Sequence, residues 1–477
     1  MTTSNLPEAV DDRPALNPHA RRAIVVVLVG AVLAFLDATI VNVALKSLAA
    51  DLGGTLDEIQ WVVTVYLLVQ AAVLPVTGWA ARRMGAKRVY IGALLLFTLA
   101  SLACAAAGSV ATLVVARVAQ GMGAGVMIPV GQMILVSAAG RQGMARAMVA
   151  AGIPMVLTPV IGPTIGGLLL EYAGWQWIFL INVPIGVLGL ILAARLLPSD
   201  VRTESARRLD VFGLLLISLG MVGITYSLSA AVQRGVTDPR VLVTLLGGTA
   251  LTTLFIVHAL RTRNPVLDLR LWRDGFFAAG TASTFVIGAV TFGAMVLLPL
   301  YFQIVRHQDA AHTGLLMAPQ GIGAAVAMGV SARLYEHIGA LTALLGAVIG
   351  CAATVPFLLI ADDTPYWLLS GAMVLRGLGI GLAAMPAMTA AMRNLTPSQI
   401  IDATPQLTIM QRLGGSIGTA AFVVILQRHL PGGADQAAPA FAVTFSWVLV
   451  ASTLAVVPTL SMVLLGRRWT AGYPEPL

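Results

Sequence analysis

The stretch FLDATIVNVAL sets one carboxylate, Asp37, inside an apolar run long enough to cross a bilayer. An ionised carboxylate at that depth costs about 2.5–3.5 kcal/mol on insertion scales, so it requires either a partner or a task. A later apolar run, RVAQGMGAGVMIP, supplies a partner in Arg117. Asp37 lies about eight residues, or ~12 Å, from the outer end of its helix, and Arg117 lies about as deep in its own. If the two helices adjoin, the guanidinium holds the carboxylate ionised, whereas separation or shielding from water favours the protonated acid. That is a proton switch. A static ion pair that only fixes helix packing fits the same residues.

Arg376 and Arg412 also fall inside apolar runs, with no acid at comparable depth. They can bind backbone carbonyls, water or a counter-charge on a bound molecule. Asn42, Tyr66, Gln70, Gln132, Gln303, Gln320, Gln406 and Gln411 join them as candidates for lining a wet cavity, and equally for bonding neighbouring helices. In GIPMVLTPVIGPTIGGLL, which starts at Gly152, Pro154, Pro159 and Pro163 each remove a backbone hydrogen bond, while Gly162, Gly166 and Gly167 leave room for another helix. A bent helix is expected there, either as a hinge or as an ordinary kink. The turn GWAARRMGAKR runs from Gly78 through Arg82, Arg83, Gly85 and Lys87 to Arg88. Its basic groups suit anchoring at a membrane face, and Gly85 suits a left-handed backbone. His307, Asp309 and His312 match no strong ligand spacing, so neither a metal nor a cofactor is expected.

These residues must be positioned by elements that live in lipid. Of 477 residues, 58% are hydrophobic and only 10% charged, with a mean hydropathy of +0.88. So few ionisable groups cannot cover a water-facing surface of this size, whereas lipid tails require almost none. The net charge of +8 would elsewhere suggest nucleic acid, but here the charges sit between apolar runs, so the bilayer is the expected partner and nucleic acid is not. Cys104 and Cys351 both lie inside apolar runs and imply no disulfide framework.

About fourteen runs are long enough to span a ~30 Å hydrocarbon core. Alternate loops then separate by charge, roughly 21 basic residues on one side against about 5 on the other, which places both termini in the cytoplasm. The expected organisation is a cytoplasmic tail (1–22), a six-helix bundle (23–197), a linker (198–210), two inserted transmembrane helices (211–260), a linker (261–275), a second six-helix bundle (276–466) and a cytoplasmic tail (467–477). Lysine occurs only at Lys46 and Lys87 while alanine and glycine abound, a bias that points to a bacterial source and a bacterial inner membrane.

Two pairs of motifs suggest that the halves share a plan. RVAQGMGAGVMIP from Arg117 is echoed by RGLGIGLAAMP from Arg376, and GWAARRMGAKR has a faded counterpart in ARLYEHIGAL from Ala332. Such repeats imply two parallel sets of six spans. With FLDATIVNVAL, WVVTVYLLVQAAVLPVTGWAARRMGAKR, GPTIGG from Gly162, GWQWIFLINVPIG from Gly174 and QRLGGSIG from Gln411, the chain resembles the major facilitator superfamily, and within it the fourteen-span drug:proton antiporters, across almost its whole length.

That resemblance implies an all-α membrane protein: two six-helix bundles related by pseudo-two-fold symmetry, rocking around a central cavity, with two helices inserted between them. It implies a transporter, not an enzyme, that exports small apolar or amphipathic compounds such as drugs and antibiotics in exchange for protons, working as a monomer. A lipid, a siderophore or a self-made antibiotic is the alternative cargo, and a membrane-embedded enzyme the remote one. Asp37 and Arg117 fall on positions matching the coupling pair, the GPTIGG segment on a hinge, and the Gly78–Arg88 turn on a cytoplasmic gate. Arg82 stands where that turn usually carries an aspartate, so the gating contact is expected to be missing or replaced.

Overall fold

In lipid a chain must satisfy its own backbone hydrogen bonds, which a helix does within one segment. The computed structural model describes residues 17–198, 208–430 and 437–472, and every regular element among them is helical. The expected tails at 1–16 and 473–477 and most of the first linker, 199–207, lie outside the described residues.

The first half contains α1 (Pro18–Ile40), α2 (Leu45–Leu52), α3 (Leu56–Val73), α4 (Thr77–Met84), α5 (Ala86–Ala105), α6 (Val110–Tyr172), α7 (Gln176–Leu180) and α8 (Asn182–Leu196). An inserted pair follows, α9 (Val211–Arg234) and α10 (Pro239–Arg261). The second half contains α11 (Gly275–Ile304), α12 (Ala310–Ile338), α13 (Leu341–Thr354), α14 (Tyr366–Ala391), α15 (Pro397–His429) and α16 (Ala437–Gly472). Short 3-10 turns at Val41–Ala44 and Leu74–Val76 join α1 to α2 and α3 to α4 into two bent rods. Among the described residues 13 helical segments are long and apolar enough to cross a membrane. Gly140, at φ 63° and ψ −175°, breaks α6, so 141–172 forms one more rod and the total reaches the expected fourteen.

Acids outside the spans cap helices. Asp210, Asp238, Asp274 and Asp309 accept hydrogen bonds from the first turns of α9, α10, α11 and α12, where a carboxylate also meets the positive end of the helix dipole. Asp309 further holds the exposed His312 ring at 2.8 Å, so this group is engaged as a cap.

Glycines set how the helices of each half meet. A Cβ at Gly121, Gly123 or Gly125 of α6 would lie 2.8 Å from the Tyr66 carbonyl, 2.7 Å from that of Ala93 and 3.0 Å from that of Gln70. In α14, Gly377, Gly379 and Gly381 meet the carbonyls of Gln320, Gly346 and Ala324 at 2.1, 2.9 and 2.8 Å. The halves therefore repeat in packing, but not in the register read from their arginines. Aligning glycine on glycine sets Arg376 opposite Gln120, not opposite Arg117, because backbone approach, not the long flexible side chain, fixes the register. The hydroxyls that Gln120 and Arg376 reach agree: Ser101 at 3.0 Å and Thr354 at 2.9 Å each lie one turn beyond the backbone that Gly123 and Gly379 touch.

At the arginine-rich end a single apolar cluster spans both halves, with Val136, Met144 and Met148 of α6 against Phe277, Met328, Met388 and Leu407. Arg146 meets Glu336 across the same seam at 2.8 Å. At the other end the cores are separate: Leu36, Ile59 and Phe179 belong to one, Tyr301, Phe357 and Phe441 to the other. The bundle is thus sealed at its basic end. Along one side, α9 touches both halves, stacking Tyr226 on Trp61 of α3 at 6.0 Å while its Val232 carbonyl accepts from Gln427 of α15 at 3.0 Å.

Overpacking the glycine seam should be costly. Gly379→Val drives a side chain into the Gly350 backbone nitrogen, 2.7 Å from the Cβ position, and should lower stability by about 1–3 kcal/mol or more. Gly371→Val, in open space, should melt like the wild type. Thermal unfolding of the purified proteins, followed by size-exclusion chromatography, checks both.

Candidate functional site

Asp37 occupies the last turn of α1, just before the chain tightens into the 3-10 turn at Val41. Its side chain is 0% exposed and that of Arg117 1%. Arg117 Nη1 lies 2.5 Å from Asp37 Oδ2. The other carboxylate oxygen, Oδ1, accepts from Gln120 Nε2 at 2.9 Å and from Asn182 Nδ2 at 3.2 Å. Ser101 Oγ accepts from the same two amides, at 3.0 and 3.1 Å, and donates to the Phe179 carbonyl at 2.9 Å. Four rods thus meet at one carboxylate.

The guanidinium is as fully engaged. It donates from Nε to the Val62 carbonyl at 3.0 Å and from Nη1 to Gln120 Oε1 at 2.8 Å. It also stacks on the Tyr66 ring, 3.9 Å from the centroid, while the Tyr66 hydroxyl donates to the Ala34 carbonyl of α1. Ring and carboxylate together offset the desolvation of a cation that has no water. One acceptor remains unused: Asn182 Oδ1 is buried without a partner beside Asp37. Neutralising the carboxyl would cancel the charge that holds Arg117.

Gly162 and Gly166 abut the same turn of α1. Their Cβ positions would lie 2.3 Å from Thr39 Oγ1 and 2.8 Å from Ile40 Cγ1, so the second rod of α6 seats directly beside Asp37. Gly167 faces open space. For Pro159 and Pro163 only the helical backbone is described, and their side chains lie outside the described residues.

The basic turn meets the second half. Gly78 faces the Ile401 carbonyl and Asp402, and Arg82 forms an ion pair with Asp402 at the start of α15. The pair crosses between the halves, the first carrying the cation and the second the anion. Gly85 adopts φ 91°. Lys87 donates to the Ala194 and Leu197 carbonyls at the end of α8, while Arg83 and Arg88 are exposed.

The remaining polar residues scatter. Tyr66, Gln70, Gln132, Arg376 and Gln406 are buried, Gln320, Gln411 and Arg412 partly exposed, and Asn42 and Gln303 exposed. Gln406 does not meet the central residues; it accepts from Trp272 and donates to the Asp268 carbonyl, tying α15 to the segment before α11. Arg376 donates to Thr354 and to the Val290 carbonyl inside the second half. Gln120, Asn182 and Ser101 are not among the residues singled out from sequence. Gln120 carries the one available signal, its position one helical turn after Arg117 on the same face.

Residues 27–419 match the sequence model of the family described as Major Facilitator Superfamily. The chain is 38% identical over 406 residues to a multidrug resistance protein B homolog of Mycobacterium tuberculosis, covering 84% of this chain and 75% of the relative. It is 32% identical over 428 residues to a putative multidrug resistance protein, MdtD, of Salmonella typhi, covering 88% and 90%. Among solved structures, the human organic anion transporter MFSD10 (TETRAN) aligns over 91% of this chain and 99% of its own with a TM-score of 0.62 at 15% identity, which shows a shared fold.

Breaking the buried pair on one side should cost more than removing it. Arg117→Gln leaves the Asp37 carboxyl buried without its cation and should lose ~3–5 kcal/mol, whereas Arg117→Gln with Asp37→Asn should regain most of that loss. Melting temperatures of the two variants beside the wild type test the order.

Proposed function

The chain belongs to the Major Facilitator Superfamily, and from that premise we propose that it exports small apolar or amphipathic compounds across a bacterial cell membrane in exchange for protons. It is a multi-pass membrane transporter and not an enzyme. The multidrug-resistance names of its bacterial relatives support the cargo class. The excess of arginine at the sealed end supports assigning that end, with both termini, to the cytoplasm.

The observation that carries the reading is the enclosed Asp37–Arg117 pair. With the cytoplasmic seam closed, a proton reaches Asp37 from the outer side, neutralises it and frees Arg117 from the carboxylate it pairs with. The halves then rock. Facing the cytoplasm, Asp37 releases the proton and pairs again, which resets the cavity for cargo. Because Gly162 and Gly166 seat the second rod of α6 on the turn holding Asp37, movement of that rod and the state of the carboxyl are linked. One proton descending 100 mV supplies ~2.3 kcal/mol.

Arg82 and Asp402 act as the cytoplasmic latch, partly accessible at 17% and 14% and therefore reversible. In a background lacking Cys104 and Cys351, alkylation of Met148→Cys inside the seam should rise several-fold in Arg82→Asp and fall back when Asp402→Arg is added. No change in Arg82→Asp would remove the latch from the account.

The proton reading is tested in proteoliposomes holding a pH gradient and a pH-sensitive dye. Adding a lipophilic fluorescent probe should release protons in the wild type and at least about tenfold less in Asp37→Asn. Unchanged coupling in that variant overturns the proposal.

A further inference from the structure

We propose that the inward face of α15 carries an anion site, built from Arg412, Ser416 and Thr419, and that the exported compounds are amphiphiles bearing one carboxylate or similarly compact anion. This deepens the export reading and rests on it.

The position of Arg412 follows from how α15 is surrounded. One face packs on α11, where Cβ positions at Gly414 and Gly418 would meet the Phe285 and Ala289 carbonyls at 2.0 and 2.3 Å. A second face, with Ile409 and Leu413, joins Ala71 and Leu74 of the first half and Met221 of α9. Ile417, 39% exposed, marks the outer face. At about 100° per residue Arg412 lies ~140° from Ile417, turned inward between the two packed faces. It lies within electrostatic reach of the Tyr66 hydroxyl on the opposite half. Arg412, Ser416 and Thr419 follow one another by four and then three residues, so they form a single stripe along that inward face.

This stripe is unsatisfied. Several hydroxyls of the second half, those of Thr408, Thr444, Ser452 and Thr459 among them, return to the preceding turn of their own helix. Those of Ser416 and Thr419, partly exposed, make no hydrogen bond to a described residue, and Arg412 makes neither a hydrogen bond nor an ion pair with one. The acids within the spans are already used, Asp37 by Arg117 and Asp402 by Arg82. A cation in low dielectric without a carboxylate is tolerated when its counter-charge arrives from outside. A guanidinium with two hydroxyls one and two turns further on suits a carboxylate. The apolar body of the compound follows from the export reading, to which the stripe adds an anionic head.

Isothermal titration calorimetry of the full-length protein in lipid nanodiscs tests this, with acid and amide forms of naphthylacetic acid and of longer arylalkanoic acids as probes, and acetate alone. Each acid should bind about tenfold more tightly than its amide, and acetate should bind much more weakly than the aryl acids. Arg412→Gln should erase the acid preference without lowering the melting temperature, Arg412→Lys should keep part of it, and Asp37→Asn should leave it intact. Equal affinity for acid and amide throughout, a preference that survives Arg412→Gln, or acetate binding as tightly as the aryl acids overturns the site. An intact acid preference with proton release unaltered in Asp37→Asn would instead overturn the proton reading and leave this site standing.

Discussion

An ionised carboxylate inside a bilayer is stable only while something holds its charge, and in this chain Arg117 does so for Asp37. Much of the first half is arranged around that requirement. Gln120 and Asn182 hold the second oxygen, Ser101 orients both amides, and Tyr66 supplies a ring face for the cation. Because both carboxylate oxygens and the guanidinium's Nε and Nη1 are bonded, the pair has little intermediate ground between bonded and released. A switch needs that property: discrete states, each satisfied in its own way.

The same economy of polar groups explains the closure. Apolar methionines and leucines fill the seam at the arginine-rich end, which gives area without direction, and two ion pairs add register at its edge. Methionine, flexible and polarizable, suits a surface that must part and re-form. The Arg82–Asp402 contact sets the cation on the first half and the anion on the second. Among the described residues no acid of the second half pairs with Arg376 or Arg412, so the two halves differ in how they hold their inward cations.

The spans and the matching depth of Asp37 and Arg117 were legible in the sequence because hydropathy and charge are local properties that the bilayer reads directly. The ring around Asp37 was not. Gln120, Asn182 and Ser101 are each unremarkable in composition, and only the approach of α5, α6 and α8 makes them one site. The register between the halves was misread because Arg117 and Arg376 are conspicuous, whereas the glycines that decide packing recur too often to be aligned by eye. Arg82 and Asp402 stand 320 positions apart, and each looks like ordinary interfacial charge until the halves close. Arg412 was visible as an acid-less cation, but its facing required knowing which sides of α15 were already occupied.

The central claim, that Asp37 trades Arg117 for a proton as the transporter reverses, is open to infrared difference spectroscopy on the reconstituted wild type and Asp37→Asn. The account predicts that shifting the protein between its two facings produces the carbonyl stretch of a protonated carboxylic acid, and that this band is absent from Asp37→Asn. A spectrum in which Asp37 stays ionised in both facings would contradict it.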